Sequence, residues 1–227
     1  MSNNEISLRL ERPFGPRMVL SKLPMHIIDN MNRYCDNVIA QEDMYRKEHD
    51  KSQDLVGHVA EELNCDLSED SFTDLLKVLF DACKFLQEND VRERGGMQDG
   101  HIPGVNLSKL FVASSWFVRS FKNDYNPLHV HNGCDFSCII YTKVPPSIGE
   151  KNFKNINKNY TTEGYIDFFS GINTLCTPAQ ITKKPEVGDL YVFPASLSHT
   201  AYPFYGEGER RSFSANLSLQ YEEVNDT

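Results

Sequence analysis

The sequence has no run approaching the roughly 20 apolar residues that a membrane-spanning helix requires. Its opening residues, MSNNEISLRLERPFG, lack the apolar core of a signal peptide, so the chain reads as cytoplasmic and without a membrane partner. Positive charge is scarce, with 23 Lys and Arg against 32 Asp and Glu and a formal charge of −9. That balance gives no positive field to hold phosphate backbones, which argues against nucleic acid as a partner. None of the six cysteines forms a CxxC pair of the kind found in zinc knuckles and dithiol redox sites. Cys83 instead falls on a helix face, where it reads as a small core hydrophobe. There is no GxGxxG, no P-loop and no internal repeat, which removes the commonest nucleotide-binding and solenoid architectures.

What is present divides by periodicity near residue 106. From Leu23 to about Ala40, Ile27, Ile28, Met31, Tyr34, Cys35 and Val38 recur with the period of an amphipathic helix. Phe72, Leu75, Leu76, Leu79, Cys83 and Leu86 mark a second helix that ends near Asn89 and Asp90. Between them, Leu55 to Leu63 fits either a strand or a helix. A Gly- and Pro-rich break from Arg94 to Gly104 is followed by short β-type runs at 115–121, 136–142, 165–168, 190–193 and 212–218. The Asn- and Lys-rich run Lys151–Lys158 reads as a solvated loop. The expectation is one domain, 1–227, mainly β, in which a helical part (1–106) packs outside a sandwich or barrel core (107–221).

Two segments carry residues suited to chemistry. In Leu128-His129-Val130-His131, positions two apart on a strand point to one face, so both imidazoles can enter one cavity. Asp135 shares their parity, and His199 can join from a distant strand. Two histidines and a carboxylate form the ligand set of non-haem Fe(II), which leaves coordination positions open. An isolated His-x-His pair is most often structural or surface polarity. Its weight here comes from Arg210, Ser212, Ser214 and Asn216, which follow at strict period two. A face bearing a cation and three hydrogen-bonding groups is costly to bury without a ligand, and a guanidinium binds a carboxylate bidentately.

Together with Ser137-Cys-Ile-Ile-Tyr141, Val144-Pro145, Gly188-Asp189-Leu190, Phe193-Pro194 and Pro203, these elements resemble the 2-oxoglutarate/Fe(II)-dependent oxygenases. The resemblance is to a small bacterial and phage branch of prolyl-hydroxylase-like enzymes, and it runs from about Trp116 to Leu219. It implies a double-stranded β-helix, or jelly roll. It also implies Fe(II), 2-oxoglutarate as co-substrate and O2, with succinate and CO2 formed as a peptidyl proline, amino acid or small metabolite is hydroxylated. By the same resemblance, His199 is the distal iron ligand, Arg210 with Ser212 binds the remote carboxylate of 2-oxoglutarate, and Tyr141 and Asn216 belong to the co-substrate site. One departure stands out: the family's proximal motif is His-x-Asp or His-x-Glu, whereas this chain has His129-x-His131. Either His131 takes the carboxylate's place, or Asp135 supplies the carboxylate. The spacing His129-x-His131-x3-Asp135, with Gly188, Pro194 and His199, also resembles the cupins, jelly rolls whose metal-dependent dioxygenases and isomerases use no 2-oxoglutarate. A non-catalytic jelly-roll binding protein is a third reading. Arg210-x-Ser212 discriminates in favour of the oxoglutarate reading.

Overall fold

The computed structural model describes residues 6–11, 15–41, 47–52, 55–95, 105–149, 162–175 and 178–223. The run Lys151–Lys158, Cys176 and most of the Gly- and Pro-rich break lie outside the described residues. Strands β1 (Leu8–Glu11) and β2 (Met18–Lys22) precede helix α1 (Met25–Ile39), which buries Ile27, Ile28, Met31, Cys35 and Val38, the stripe marked by its periodicity. Strand β3 (Glu61–Asn64) and helix α2 (Thr73–Gly95) follow. The helix passes the end expected at Asn89, because the polar groups there are satisfied inside it. Asn89 Nδ2 donates to Phe85 O at 2.7 Å, and Arg17 donates to Asn89 O at 2.8 Å.

The remaining strands are β4 (Val105–Ser120), β5 (Asn126–His129), β6 (Phe136–Lys143), β7 (Ile166–Phe169), β8 (Gln180–Lys183), β9 (Asp189–Pro194), β10 (Ser198–Ala201) and β11 (Arg210–Glu223). They form a seven-stranded sheet, β1-β2-β9-β6-β11-β4-β3, and a four-stranded sheet, β5-β10-β7-β8, with every recorded pair antiparallel. This two-sheet architecture is a jelly roll. The N-terminal part is not purely helical, since it adds β1 and β2 to one edge of the large sheet and β3 to the other. Strands of four or five residues show too few alternations to be read from sequence.

The large sheet is buried on both faces, which explains the nearly unbroken apolar run in β6. Cys138, Ile140, Leu190, Val192, Phe213, Ala215 and Leu217 pack under the helices. Their alternates Ile139, Tyr141, Tyr191 and Phe193 face the small sheet with Phe168 and Leu197. Cys83 is fully buried in the helical layer, as its position predicts. No helix among the described residues is long and apolar enough to cross a membrane.

Ion pairs fasten α1 to the helix-facing side. Arg211, only 1% exposed, reaches Asp36 Oδ1 at 2.7 Å and Glu209 Oε1 at 2.8 Å. Arg119 shares Glu209 at 2.8 Å and also pairs with Glu61 of β3. Removing one member of a buried pair leaves its partner desolvated and uncompensated. Arg211→Ala is therefore expected to cost about 3 kcal/mol in urea unfolding. A loss below about 1 kcal/mol, the value of a surface pair, would show that this network does not hold the helix.

Candidate metal centre and its cavity

The pairing of β5 with β10 sets His129 directly opposite His199. That cross-strand placement brings their ring centroids to 4.2 Å. His131 lies beyond the end of β5, and its backbone N–H donates to Ala195 O at 2.9 Å. Its ring returns to the same side, 5.2 Å from that of His199 and 5.3 Å from that of His129. One nitrogen from each imidazole lies within 4.8 Å of the other two.

Backbone carbonyls fix two of the tautomers. His129 Nδ1 is 2.7 Å from Pro127 O, and His199 Nδ1 is 3.0 Å from Leu197 O. A carbonyl only accepts, so each Nδ1 carries the proton and each Nε2 presents a lone pair. Burial, aided by His129, pushes His131 down to about 4. Burial and then His129 push His199 down to about 3, against the opposing hydrogen bond to Leu197. His129 is lowered by burial as well. The cluster is thus neutral at physiological pH, and neutral imidazole is the form that ligates a metal.

Asp135 is not in this cluster. Strand β5 stops at His129 and the chain turns before β6, so the alternation counted from His131 does not carry through to residue 135. The Asp135 carboxylate instead accepts the Leu219 N–H at 2.8 Å.

Arg210, Ser212, Ser214 and Asn216 do share a face, and they line one cavity of about 340 Å³ with the three histidines and Tyr141. Arg210 is 3% exposed. Its Nη1 donates to Gly164 O at 3.0 Å and Tyr202 O at 2.9 Å, and its Nη2 to Ser120 Oγ at 3.4 Å. The Phe204 ring lies 5.5 Å from the guanidinium. Among the described residues, no carboxylate stands within ion-pair distance of it. Asn216 Nδ2 donates to Ser114 Oγ at 3.1 Å, while its Oδ1 is buried without a hydrogen-bond partner.

Two lining residues escaped the sequence reading. Glu62 is 2% exposed, yet its carboxylate has no hydrogen-bond or ion-pair partner among the described residues. Burial, with a contribution from Asp50, lifts it to about 7. Asn126, three positions before His129, has its Oδ1 buried and unpartnered. Glu62 sits in the aperiodic stretch 55–63, and a glutamate in sequence carries no mark of burial.

Residues 114–216 match the family model described as "Putative 2OG-Fe(II) oxygenase". No curated protein matches the chain. Among solved structures, the fold is similar to a Pseudomonas putida prolyl-4-hydroxylase at TM-score 0.56 and 13% identity, covering 89% of this chain and 92% of that one. It is similar to SnoN, a non-heme alpha ketoglutarate dependent epimerase from nogalamycin biosynthesis, at TM-score 0.52 and 14% identity, covering 91% and 76%. It is also similar to AviO1 from Streptomyces viridochromogenes Tue57 at TM-score 0.50 and 10% identity, covering 88% and 89%. At these identities the structural likeness carries the fold, and the family match carries the class. The match over residues 114–216, somewhat short of half of the chain, is to the 2-oxoglutarate/Fe(II) oxygenases, a family named for its use of Fe(II) and 2-oxoglutarate.

The isolated carboxyl of Glu62 has a signature in stability. Below about pH 4.5 it is protonated whether folded or unfolded, and above about pH 7 it is ionised in both states and buried at a cost. Stability is lost as pH rises between these values, by about 3 kcal/mol for the full shift. Glu62→Gln should therefore raise the urea midpoint at pH 8 and leave it nearly unchanged at pH 4. An equal effect at both pH values would show that the carboxyl is not the strained group.

Proposed function

We propose that the chain is a hydroxylase in which His129, His131 and His199 hold Fe(II) while Arg210 and Ser212 hold the remote carboxylate of 2-oxoglutarate. One observation carries this reading: three neutral imidazoles and a buried guanidinium without a carboxylate partner among the described residues line the same cavity. Bound iron supplies the oxygen-activating chemistry that couples conversion of 2-oxoglutarate to succinate and CO2 with hydroxylation of a C–H bond.

The chain's own residues bind, orient and exclude water. With His131 in the place of a carboxylate, the ligand set is neutral and leaves the full divalent charge to attract a dianionic co-substrate. Arg210 is positioned by two carbonyls and Ser120, so its remaining donors face the cavity in a fixed direction. Ser212 stands beside Tyr141 across β11 and β6. Burial pushes the Tyr141 phenol up to about 12, so it stays protonated and can donate. Asn216 offers its amide from the other end of the same row. Arg210-x-Ser212 in this cavity, with the family match, favours this assignment over a cupin or a non-catalytic binding protein.

The substrate is a small molecule or a peptide segment that enters between Leu55, Val56 and Val130. A cytosolic setting fits the buried free thiols of Cys35, Cys65, Cys83 and Cys138.

Protein loaded anaerobically with Fe(II), then given O2 and 2-oxoglutarate, should release succinate. Loss of a charge-assisted hydrogen bond costs about 2 kcal/mol, so Arg210→Ala should raise the 2-oxoglutarate KM roughly thirtyfold while iron is retained. An unchanged KM would remove Arg210 from the site. His199→Ala should abolish stoichiometric iron and turnover, and retained iron would show that the ligands lie elsewhere.

A further inference from the structure

The cavity holds a second polar pole that the metal and the co-substrate leave unused. Register places Tyr141, Ser212, Val118 and Glu62 in one row across β6, β11, β4 and β3. Glu62 therefore lies two strand spacings from Ser212, about 10 Å away, at the edge of the wall that carries the co-substrate groups. Asn126 approaches it from the opposite sheet, on the strand that carries His129. The two acceptors converge at Gly57. A Cβ built on that glycine would collide with Glu62 Oε1 and come to 2.9 Å from Asn126 Oδ1, so a side chain there would displace these oxygens from their present positions.

We propose that Glu62 and Asn126 form the substrate-recognition pole of the cavity, and that the substrate is an amine bound there as its ammonium ion. This deepens the hydroxylase reading and rests on it. Asn126 Oδ1 is buried without a hydrogen-bond partner, the buried Glu62 carboxylate meets no hydrogen-bond donor or cation among the described residues, and Arg210, at the co-substrate end, is the sole Lys or Arg among the described lining residues. Unpaired buried acceptors are costly, and a ligand with several N–H donors satisfies both at once. An ammonium ion also compensates the carboxylate charge, which a neutral amide does not. Between this pole and the histidines the wall is apolar: Val118 stands beside Glu62, and the Trp116 ring lies 5.9 Å from that of His131. A short carbon chain fits that interval, with its ammonium at Glu62 and a C–H bond toward the histidines. A prolyl residue within a peptide has no N–H to offer, so the pole selects against a bare peptidyl proline.

The test is calorimetric. Protein loaded with Fe(II) and 2-oxoglutarate is titrated anaerobically with free amino acids, among them lysine and proline, with putrescine, and with the form of each in which every amino group is acetylated. At least one amine should bind, with its acetylated form roughly tenfold weaker or more, as expected for a lost charge-assisted hydrogen bond. Glu62→Gln should weaken that amine by a similar factor while iron stoichiometry and 2-oxoglutarate affinity are kept. Gly57→Ala, whose methyl group occupies the space between the acceptors, should do the same. Equal binding of the acetylated form, undiminished binding to Glu62→Gln, or no binding of any amine to the loaded protein would each overturn the proposal. Failure to take up iron or 2-oxoglutarate at all would overturn the hydroxylase reading, and this one with it.

Discussion

The pleat of β11 is the constraint on which the rest of the molecule depends. Successive residues of a strand point to opposite faces, so the adjacent Arg210 and Arg211 have separate tasks. Arg211 turns to the helices and is paired with Asp36 and Glu209. Arg210 turns inward and, among the described residues, meets carbonyls, a hydroxyl and an aromatic ring. Phe213, Ala215 and Leu217 continue the outer face as core, while Ser212, Ser214 and Asn216 continue the inner face as cavity wall. A register slip of one residue would exchange the two faces, placing core side chains in the cavity and the site beneath the helices.

The second sheet adds what the first lacks. Its contribution is local, because His129 and His199 face each other across one antiparallel pair and His131 follows two positions later. Enclosure between the sheets keeps all three imidazoles uncharged. The same enclosure raises the cost of the buried Glu62 carboxylate and of Asn126 and Asn216, whose amide oxygens are buried without donors among the described residues. A cavity that forgoes internal pairing in this way gives up stability for binding.

Much of this was legible in the residues, and the failures have physical reasons. The stripes of α1 and α2 and the period-two row of β11 were readable because each repeats several times with one face buried. His129 and His131 were readable because the extended backbone continues just far enough past the end of β5 for positions two apart to keep one side, and His199 was readable only through the resemblance. Asp135 was misplaced because that rule was carried through a turn, where it does not hold. Strands β1, β2 and β3 were not readable because each has only four or five residues, too few for an alternation to repeat. Glu62 was invisible because its role comes from the register of β3 against β4, a long-range pairing with no local sequence signal.

In the proposed function the histidine cluster and Arg210 hold opposite ends of one co-substrate. If so, metal and 2-oxoglutarate must strengthen each other's binding by the same factor. The direct measurement is the anaerobic affinity for 2-oxoglutarate with and without Fe(II), paired with the affinity for Fe(II) with and without 2-oxoglutarate. The expected result is a reciprocal gain of roughly tenfold or more. Equal 2-oxoglutarate affinity in the presence and absence of iron would contradict it.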